Sequence, residues 1–361
     1  MNDDAAWMAR ALFVAERGRG RTTPNPLVGA VVVSPDGVVL GQGAHLVAGG
    51  PHAEVHALSA AGEAARGATL YCTLEPCCHV GRTGPCTEQV IKAGITRVVT
   101  AIEDPNPRVA GGGHAVLRAA GIDVATNIAR DQALRQNAPF FTWITQRRPW
   151  TVLKTASSAD GYVGGGRQSR RSLGEGGRLT CAETDRWMHR QRAWIDAIAI
   201  GADTAIADNP LLTPRGAWRA RPLTRVIIDW RGRVPPDLRV YSTQSTGPVI
   251  MVGLESVSAT HLNALRQQGI IVELFAERNL AAVVERLAQR DVQSLLVEGG
   301  PALQQAWIEA DLVDAVQYVE TPRTLGAGTP VSPALRAWVT KPGARHLTVL
   351  GADRLVEGTW G

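Results

Sequence analysis

The sequence predicts an α/β protein built as two successive domains, and three observations carry that expectation. Short apolar strand patterns alternate with helix patterns from the first residues to about residue 310. The alternation is interrupted near residues 139–150, where the polar Arg147-Arg148-Pro149 precedes a fresh strand pattern at Trp150-Thr151-Val152-Leu153. Finally, 361 residues exceed one ordinary core but suit two, divided here as 1–146 and 150–361.

In chain order, the start MNDDAAWMARALFVAERG is acidic and sets Trp7, Ala11, Leu12, Val14 and Ala15 at near-helical spacing. That reads as an amphipathic helix; a secretory signal needs a basic start and a longer apolar core. Residues 29–33 (GAVVV) form a short buried strand, and 38–43 its hairpin partner across Pro35-Asp36-Gly37. A helix over 52–61 and a strand over 68–74 follow. The next helix, 87–93, is stopped by Gly94; strand 97–101 and helix 113–120, stopped by Gly121, come after it. Beyond the break the pattern gives a helix at 182–193, strands at 195–200, 224–229 and 248–252, and helices at 258–268 and 279–290. Strand 293–297, helix 301–309 and a β-rich end complete the chain. The glycine- and arginine-rich 164–177 (GGGRQSRRSLGEGG) reads as a mobile loop. No internal repeat has a fixed period.

A hydrophobic content of 45% and a charged content of 20% fit a soluble globular protein. No apolar run approaches the roughly 20 residues that span a bilayer, so the expectation is a cytoplasmic protein with no membrane partner. The formal charge of +5 suits an anionic substrate and argues little for nucleic acid. Only Lys92, Lys154 and Lys341 are lysines, an arginine bias read as genomic composition. Five cysteines are an odd count, and Cys72, Cys77, Cys78 and Cys86 crowd into fifteen residues. That favours a metal site in a reducing compartment over a disulfide framework.

The chemistry concentrates in His52-Ala53-Glu54, Glu75-Pro76-Cys77-Cys78-His79 and Gly84-Pro85-Cys86. Zinc takes imidazole and thiolate ligands tetrahedrally, and a catalytic site leaves its fourth position open. His52, Cys77 and Cys86 supply three such ligands, and a bound zinc lowers the pKa of water from about 16 to about 7. Glu54, two residues from His52, is placed to move protons without being a ligand. Cys86 follows Pro85 at a helix start, where thiolate is favoured over thiol. The competing reading is a structural zinc with Cys78 or His79 as fourth ligand, which leaves Glu54 without a role. His56 shares a helical face with His52 and reads as a packed histidine; His45 reads as structural or substrate-facing, and Cys72 as core. Gly111-Gly112-Gly113 reads as a turn rather than a phosphate loop.

Nucleobase deaminases carry H-x-E with P-C-x-x-C; here eight residues separate the two cysteines. With that spacing, TPNPLVGAVVV (23–33), PHAEVHAL (51–58), TLEPCCHVGRTGPC (73–86) and AIEDPNPRVAGGG (101–113) together resemble the deaminase half of bacterial bifunctional riboflavin-biosynthesis enzymes. These are diaminohydroxyphosphoribosylaminopyrimidine deaminases fused to 5-amino-6-(5-phosphoribosylamino)uracil reductases. The resemblance implies a cytidine-deaminase-like three-layer α/β/α fold with His52, Cys77 and Cys86 as zinc ligands and Glu54 as proton shuttle. Asn25 would then contact the substrate ring or ribose.

In the second half no G-x-G-x-x-G follows a strand, so a classical dinucleotide fold is not supported. Strand 294–297 running into Glu298-Gly299-Gly300-Pro301 is a candidate anion site at a helix start. LKTASSADG (153–161), RAWIDAIAIGADTAIADNPLLTPR (192–215) and VEGGPAL (297–303) resemble the reductase half of the same fused enzymes. That implies a dihydrofolate-reductase-like fold and NADPH as cofactor. By position Ala156, Thr204, Asp208, Gly300, Pro301, Ala302, Leu303 and Gln304 would hold NADPH. Arg192, Leu212, Arg215 and Glu298 would face the substrate, the arginines gripping its phosphate. Lys154 and Asp160 would line the reductase site, with the proton donor unassigned between them. One departure stands out. The family's Ser-x-Trp-Ile-Thr-like stretch is replaced by 164–180, which has no tryptophan. If Thr180 is the anchor, Gly176 and Arg178 stand for Ser and Trp; if Ser169 is, Arg171 stands for Trp.

The leading expectation is thus a bifunctional enzyme that hydrolytically deaminates 2,5-diamino-6-(5-phosphoribosylamino)pyrimidin-4(3H)-one and then reduces its ribosyl chain to ribityl. It would be a cytoplasmic homo-oligomer, dimer or tetramer, with a small-molecule phosphoribosylaminopyrimidine substrate. The alternatives are a deaminase whose second domain only binds ligand, a tRNA or polynucleotide base deaminase, and an interaction protein with structural zinc.

Overall fold

The computed structural model describes residues 3–78, 84–106, 110–164, 178–341 and 345–360. His79, Ser169, Arg171 and Gly176 lie outside them, as do all but the first residue of the 164–177 loop. The chain divides into two compact units, Met1–Arg148 and Pro149–Gly361.

The first unit runs α1 (Asp4–Ala15), β1 (Gly29–Val33), β2 (Val39–Ala44), α2 (Ala53–Ala61), β3 (Thr69–Cys72), α3 (Cys86–Lys92), β4 (Arg97–Thr100), α4 (Gly112–Ala119), β5 (Asp123–Ala125), α5 (Arg130–Gln136) and α6 (Ala138–Gln146). Its sheet has the order β2-β1-β3-β4-β5, with β1 antiparallel to both neighbours and β3, β4 and β5 parallel. Successive side chains of a strand face opposite ways, so an all-apolar strand must be covered on both sides. Ala30 and Val32 pack with Ala53, Ala57, Val90 and Leu117 of α2, α3 and α4, whereas Val31 and Val33 pack with Met8, Leu12 and Ala133 of α1 and α5. The unit is therefore three-layered.

Helix α2 carries the H-A-E motif, and two glycines set how closely it lies on the sheet. A Cβ on Gly41 would come within 2.2 Å of the Ala57 carbonyl oxygen. One on Gly43 would sit 2.4 Å from the His56 Cβ. Any side chain there would lift α2, and with it His52 and Glu54, off β2.

The second unit runs β6 (Trp150–Ser157), β7 (Tyr162–Val163), α7 (Ala182–Trp194), β8 (Ala197–Gly201), α8 (Ala202–Asp208), β9 (Thr224–Ile228), β10 (Val249–Leu254), α9 (Ala259–Gln267), β11 (Ile271–Phe275), α10 (Leu280–Ala288), β12 (Ser294–Val297), α11 (Pro301–Glu309), β13 (Ala315–Glu320), β14 (Thr329–Pro330), α12 (Pro333–Thr340), β15 (Arg345–Leu350) and β16 (Asp353–Thr359). The main sheet path is β11-β10-β9-β8-β12-β6-β13-β16-β15. It is parallel from β11 to β13 and closes with the antiparallel β16 and β15. Ala197 and Ala199 of β8 face one core with Trp307, Leu335 and Trp338. Ile198 and Ile200 face the other, with Leu262 and Leu265.

Several elements depart from the sequence reading. The stretch read as a break contains α6, whose APFFTWITQ holds six β-branched or bulky aromatic residues and carries proline at its start. Weak helix formers disguise a helix that packing sustains. Helices α5, α8 and α12 and the strands β5 and β11 also escaped it, all at most nine residues long. Helix α12 lies within the end read as β-rich.

Two candidate active sites

In the first unit, His52 is the N-cap residue of α2, and Cys86 is the first residue of α3, after Pro85. Cys77 sits on the loop that leaves β3. His52 Nδ1 lies 3.1 Å from Cys86 Sγ and 3.6 Å from Cys77 Sγ, and the three ligand atoms all fall within 4.8 Å of one another. A tetrahedral zinc with bonds of about 2.3 Å to sulfur and 2.05 Å to nitrogen needs ligand atoms about 3.5–3.8 Å apart. The triad fits zinc. Among the described residues it is the only such group; Cys78 stands outside it, with Sγ against Gly112, and His56 packs beside Gly43.

The helix start acts on a different cysteine from the one expected. The Cys86 amide donates to Cys77 Sγ at 3.4 Å. The Cys86 thiol hydrogen bond, with His52 and that amide, pulls the Cys77 thiol down to about 4 against the opposing effect of burial. The same contact and burial push the Cys86 thiol up.

Glu54, in the first turn of α2, is 3% exposed, and its Oε2 has no hydrogen-bond partner among the described residues. Burial raises its carboxyl above the usual range, opposed by His52. A buried carboxylate oxygen left unpaired is costly unless a proton-bearing group meets it there. A cavity of about 440 Å³ holds these residues and is walled by Asn25, His45, Glu75, Asp104, Asn106, Phe140, Trp143 and Ile144. His45 Nδ1 sits 3.1 Å from the Pro51 carbonyl and Nε2 3.0 Å from Asn25 Nδ2. A carbonyl only accepts, so Nδ1 donates and Nε2 accepts from the amide. Burial keeps this imidazole's pKa below the usual value. Asn25 is thus fixed by a neutral histidine. Glu75, Asp104 and Asn106 sit in stretches the sequence reading quoted but gave no role; Phe140 and Trp143 carried no signal, because α6 was read as a break.

In the second unit a cavity of about 670 Å³ gathers Lys154, Ala156, Arg192, Thr204, Asp208, Arg215, Glu298, Gly300, Pro301, Ala302 and Leu303. Leu212 is placed elsewhere, 3% exposed in the core with a φ of 54°. Asp160 is not on the cavity wall; its carboxylate accepts from the amides of Leu325 and Gly326. Gln304 is 1% exposed and ties α11 to β6 by donating to the carbonyls of Lys154 and Gly299.

Glu298 accepts two bonds from Arg192, Nε to Oε1 at 3.0 Å and Nη2 to Oε2 at 2.6 Å. Burial alone would raise the Glu298 carboxyl, but Arg192 and Lys154 outweigh it and hold it at about 2. Burial lowers Lys154, with Glu298 opposing. Gly300 N–H donates to Thr204 Oγ1 at 3.1 Å, joining α8 to the start of α11. A Cβ on Gly299 would approach Leu303 Cδ2 to 2.4 Å. This close, glycine-lined helix start beside a cation-bearing cavity fits a phosphate-containing cofactor. Arg178 and Thr180 lie on the wall, both bonded to Asp185 of α7, and the described lining carries no Phe, Tyr or Trp. Asp185, Met188 and His189 were not anticipated; they share the α7 face that also presents Arg192.

Comparison with known proteins agrees with both halves. Residues 1–102 match the cytidine and deoxycytidylate deaminase zinc-binding region, and residues 149–355 the RibD C-terminal domain. The riboflavin biosynthesis protein RibD of Escherichia coli is 37% identical over 356 residues, spanning 95% of this chain and 93% of that one. Its Aquifex aeolicus counterpart is 38% identical over 325 residues, 90% of this chain and 88% of that one. The structure of Acinetobacter baumannii RibD superposes with a TM-score of 0.83 at 34% identity, covering 98% of both chains. A Thermotoga maritima diaminohydroxyphosphoribosylaminopyrimidine deaminase/5-amino-6-(5-phosphoribosylamino)uracil reductase gives 0.82 at 32%, covering 98% of this chain and 97% of that one. The chain belongs to the RibD family, the bifunctional deaminase/reductases of riboflavin biosynthesis that use zinc and NADPH.

Proposed function

We propose that residues 1–146 deaminate 2,5-diamino-6-(5-phosphoribosylamino)pyrimidin-4(3H)-one and that residues 150–361 then reduce the ribosyl chain of the product to ribityl. The observation that carries the first step is the unpaired, buried Glu54 Oε2 beside the His52, Cys77 and Cys86 triad. Zinc, when bound by those three residues, makes water acidic enough to attack at neutral pH. Glu54 accepts a proton from the attacking water at Oε2 and delivers it to the amine that leaves as ammonia. Its raised pKa suits both directions of transfer. Asn25, immobilised by His45, contacts the ring or ribose.

For the second step NADPH supplies the hydride. Thr204, Asp208, Gly300 and the start of α11 through Pro301, Ala302 and Leu303 hold it, with Ala156 on β6. Lys154 is the proton donor: it lines the cavity and Glu298 faces it, whereas Asp160 spends its carboxylate on the 325–326 amides. Because the Arg192 fork is taken up by Glu298, the substrate phosphate falls to Arg215. The partner is a small molecule; the protein is a cytoplasmic homo-oligomer that engages neither nucleic acid nor membrane. Among the described residues, no helix is long and apolar enough to cross a membrane.

Zinc-loaded protein given the diaminopyrimidine and NADPH should release ammonia and then oxidise NADPH. Ammonia without NADPH oxidation would remove the second step, and absence of both would overturn the proposal.

A further inference from the structure

Glu75 is a buried carboxylate for which the proposed chemistry has no use. It lies two residues before Cys77, its side chain is fully buried, and it lines the zinc cavity. Its two oxygens accept three backbone N–H groups from one segment. Oε2 takes Asp104 at 3.2 Å and Gly111 at 2.9 Å, and Oε1 takes His114 at 3.1 Å. With both oxygens engaged, Glu75 is not available as a second proton carrier. What the bonds do is mechanical. They tie the Asp104 amide to Gly111 and the first turn of α4 through one carboxylate, and charge-assisted bonds of this kind are about twice as strong as neutral ones. The approach is close: a Cβ on Gly113 would meet the Pro76 carbonyl at 2.0 Å and Glu75 Oε1 at 3.2 Å. Gly111 caps α4 at a φ of 74°, a left-handed conformation that glycine adopts without strain. The clamped segment carries Asp104 and Asn106, both on the cavity wall, and the Asn106 amide donates to Asp104 Oδ1 at 2.9 Å.

We propose that Glu75 is a positioning residue for deamination, its carboxylate holding the Asp104 amide against the start of α4 so that Asp104, and Asn106 bonded to it, form one wall of the substrate cavity. The proposal rests on the reading of His52, Cys77, Cys86 and Glu54 as the deamination centre. Glutamine at position 75 keeps the shape but turns an NH2 toward one of the three donors.

The test uses the full-length zinc-loaded chain as Glu75→Gln, Asn106→Ala and the double variant, assayed for ammonia release. Zinc content is measured alongside, and reduction of the deaminated intermediate serves as a folding control. Glu75→Gln should raise KM about tenfold or more, the scale of one lost charged hydrogen bond, with kcat and zinc content little changed. If Glu75 acts through the segment, the double variant is no worse than the worse single one. An unchanged KM, multiplicative effects in the double variant, or loss of zinc from Glu75→Gln would each overturn the proposal. Hydrogen exchange of the wild-type chain covers the case of a variant that does not fold: the amides of Asp104, Gly111 and His114 should exchange slowly, and fast exchange would refute the clamp. Glu54→Gln separates the two ideas, because continued ammonia release from that variant would sink the centre while leaving the clamp measurable by exchange.

Discussion

The two sites solve the problem of holding reactive groups in different ways. The zinc triad is assembled from helix starts and a strand exit, each contributing one short side chain whose position follows from backbone. Its thiol chemistry is set locally, by the Cys86 amide that donates to Cys77 Sγ. The reductase cavity is walled by long charged side chains from β6, α7 and β12 that neutralise one another, Lys154 and Arg192 against Glu298 and Arg178 against Asp185. The first is a site of fixed ligand atoms, and the second a site of balanced pairs. The lesson is that removing one group should be nearly all-or-none in the first and graded in the second.

The largest effect expected is therefore at Glu54. Glu54→Gln should lower ammonia release by roughly 10²–10⁴-fold with zinc retained, and leave reduction of supplied deaminated intermediate unchanged. A parallel fall in both activities would break the comparison, since it would mean the two chemistries are not separately housed. Next comes Lys154→Met, which should cut NADPH oxidation by about 10²-fold or more while sparing ammonia release. Asp160→Asn is its counterpart. It weakens the hold on the Leu325 and Gly326 amides and should lower the urea midpoint slightly, with much smaller kinetic loss. Equal kinetic damage from the two substitutions would return the proton donor to doubt.

The same difference explains what could be read from residues alone. His52, Glu54, Cys77 and Cys86 were legible because zinc accepts few residue types and the H-x-E pattern with two flanking cysteines leaves little freedom. The alternation at 29–33 and 294–297 was legible because strands covered on both faces must be apolar throughout. Helix α6 was not, because its β-branched and aromatic residues spell a strand or a linker locally, and only packing makes it helical. Asp160 and Lys154 could not be separated either. Both lie in one motif, and only the fold sends one to the cavity wall and the other to the amides of 325–326. Leu212 matched by position, yet its positive φ turns it into the core.

The last expected effect concerns pH, and it contrasts a buried pair with a partly exposed one. Glu298 is held at about 2 in the folded protein, against about 4.3 for an unperturbed glutamate. A carboxylate depressed in this way stabilises the fold above its unfolded pKa, and the contribution fades as pH falls through the folded value. Wild type should exceed Glu298→Gln by on the order of 2–3 kcal/mol at pH 7, and the gap should close between about pH 4.5 and pH 2. Asp4 is shifted down too, by its hydrogen bonds from Arg97, but this pair is partly open to solvent. Solvent screening limits such a pair to about 0.2–1 kcal/mol, so Asp4→Asn should move the urea midpoint only slightly at pH 7, and by less as pH falls below about 4. Urea midpoints of the three proteins at pH 7, 4 and 3 decide the matter. A larger shift for Asp4→Asn than for Glu298→Gln at pH 7 would mean that the balanced charges of the reductase cavity cost the fold as much as they return, as buried ion pairs do when desolvation cancels their attraction.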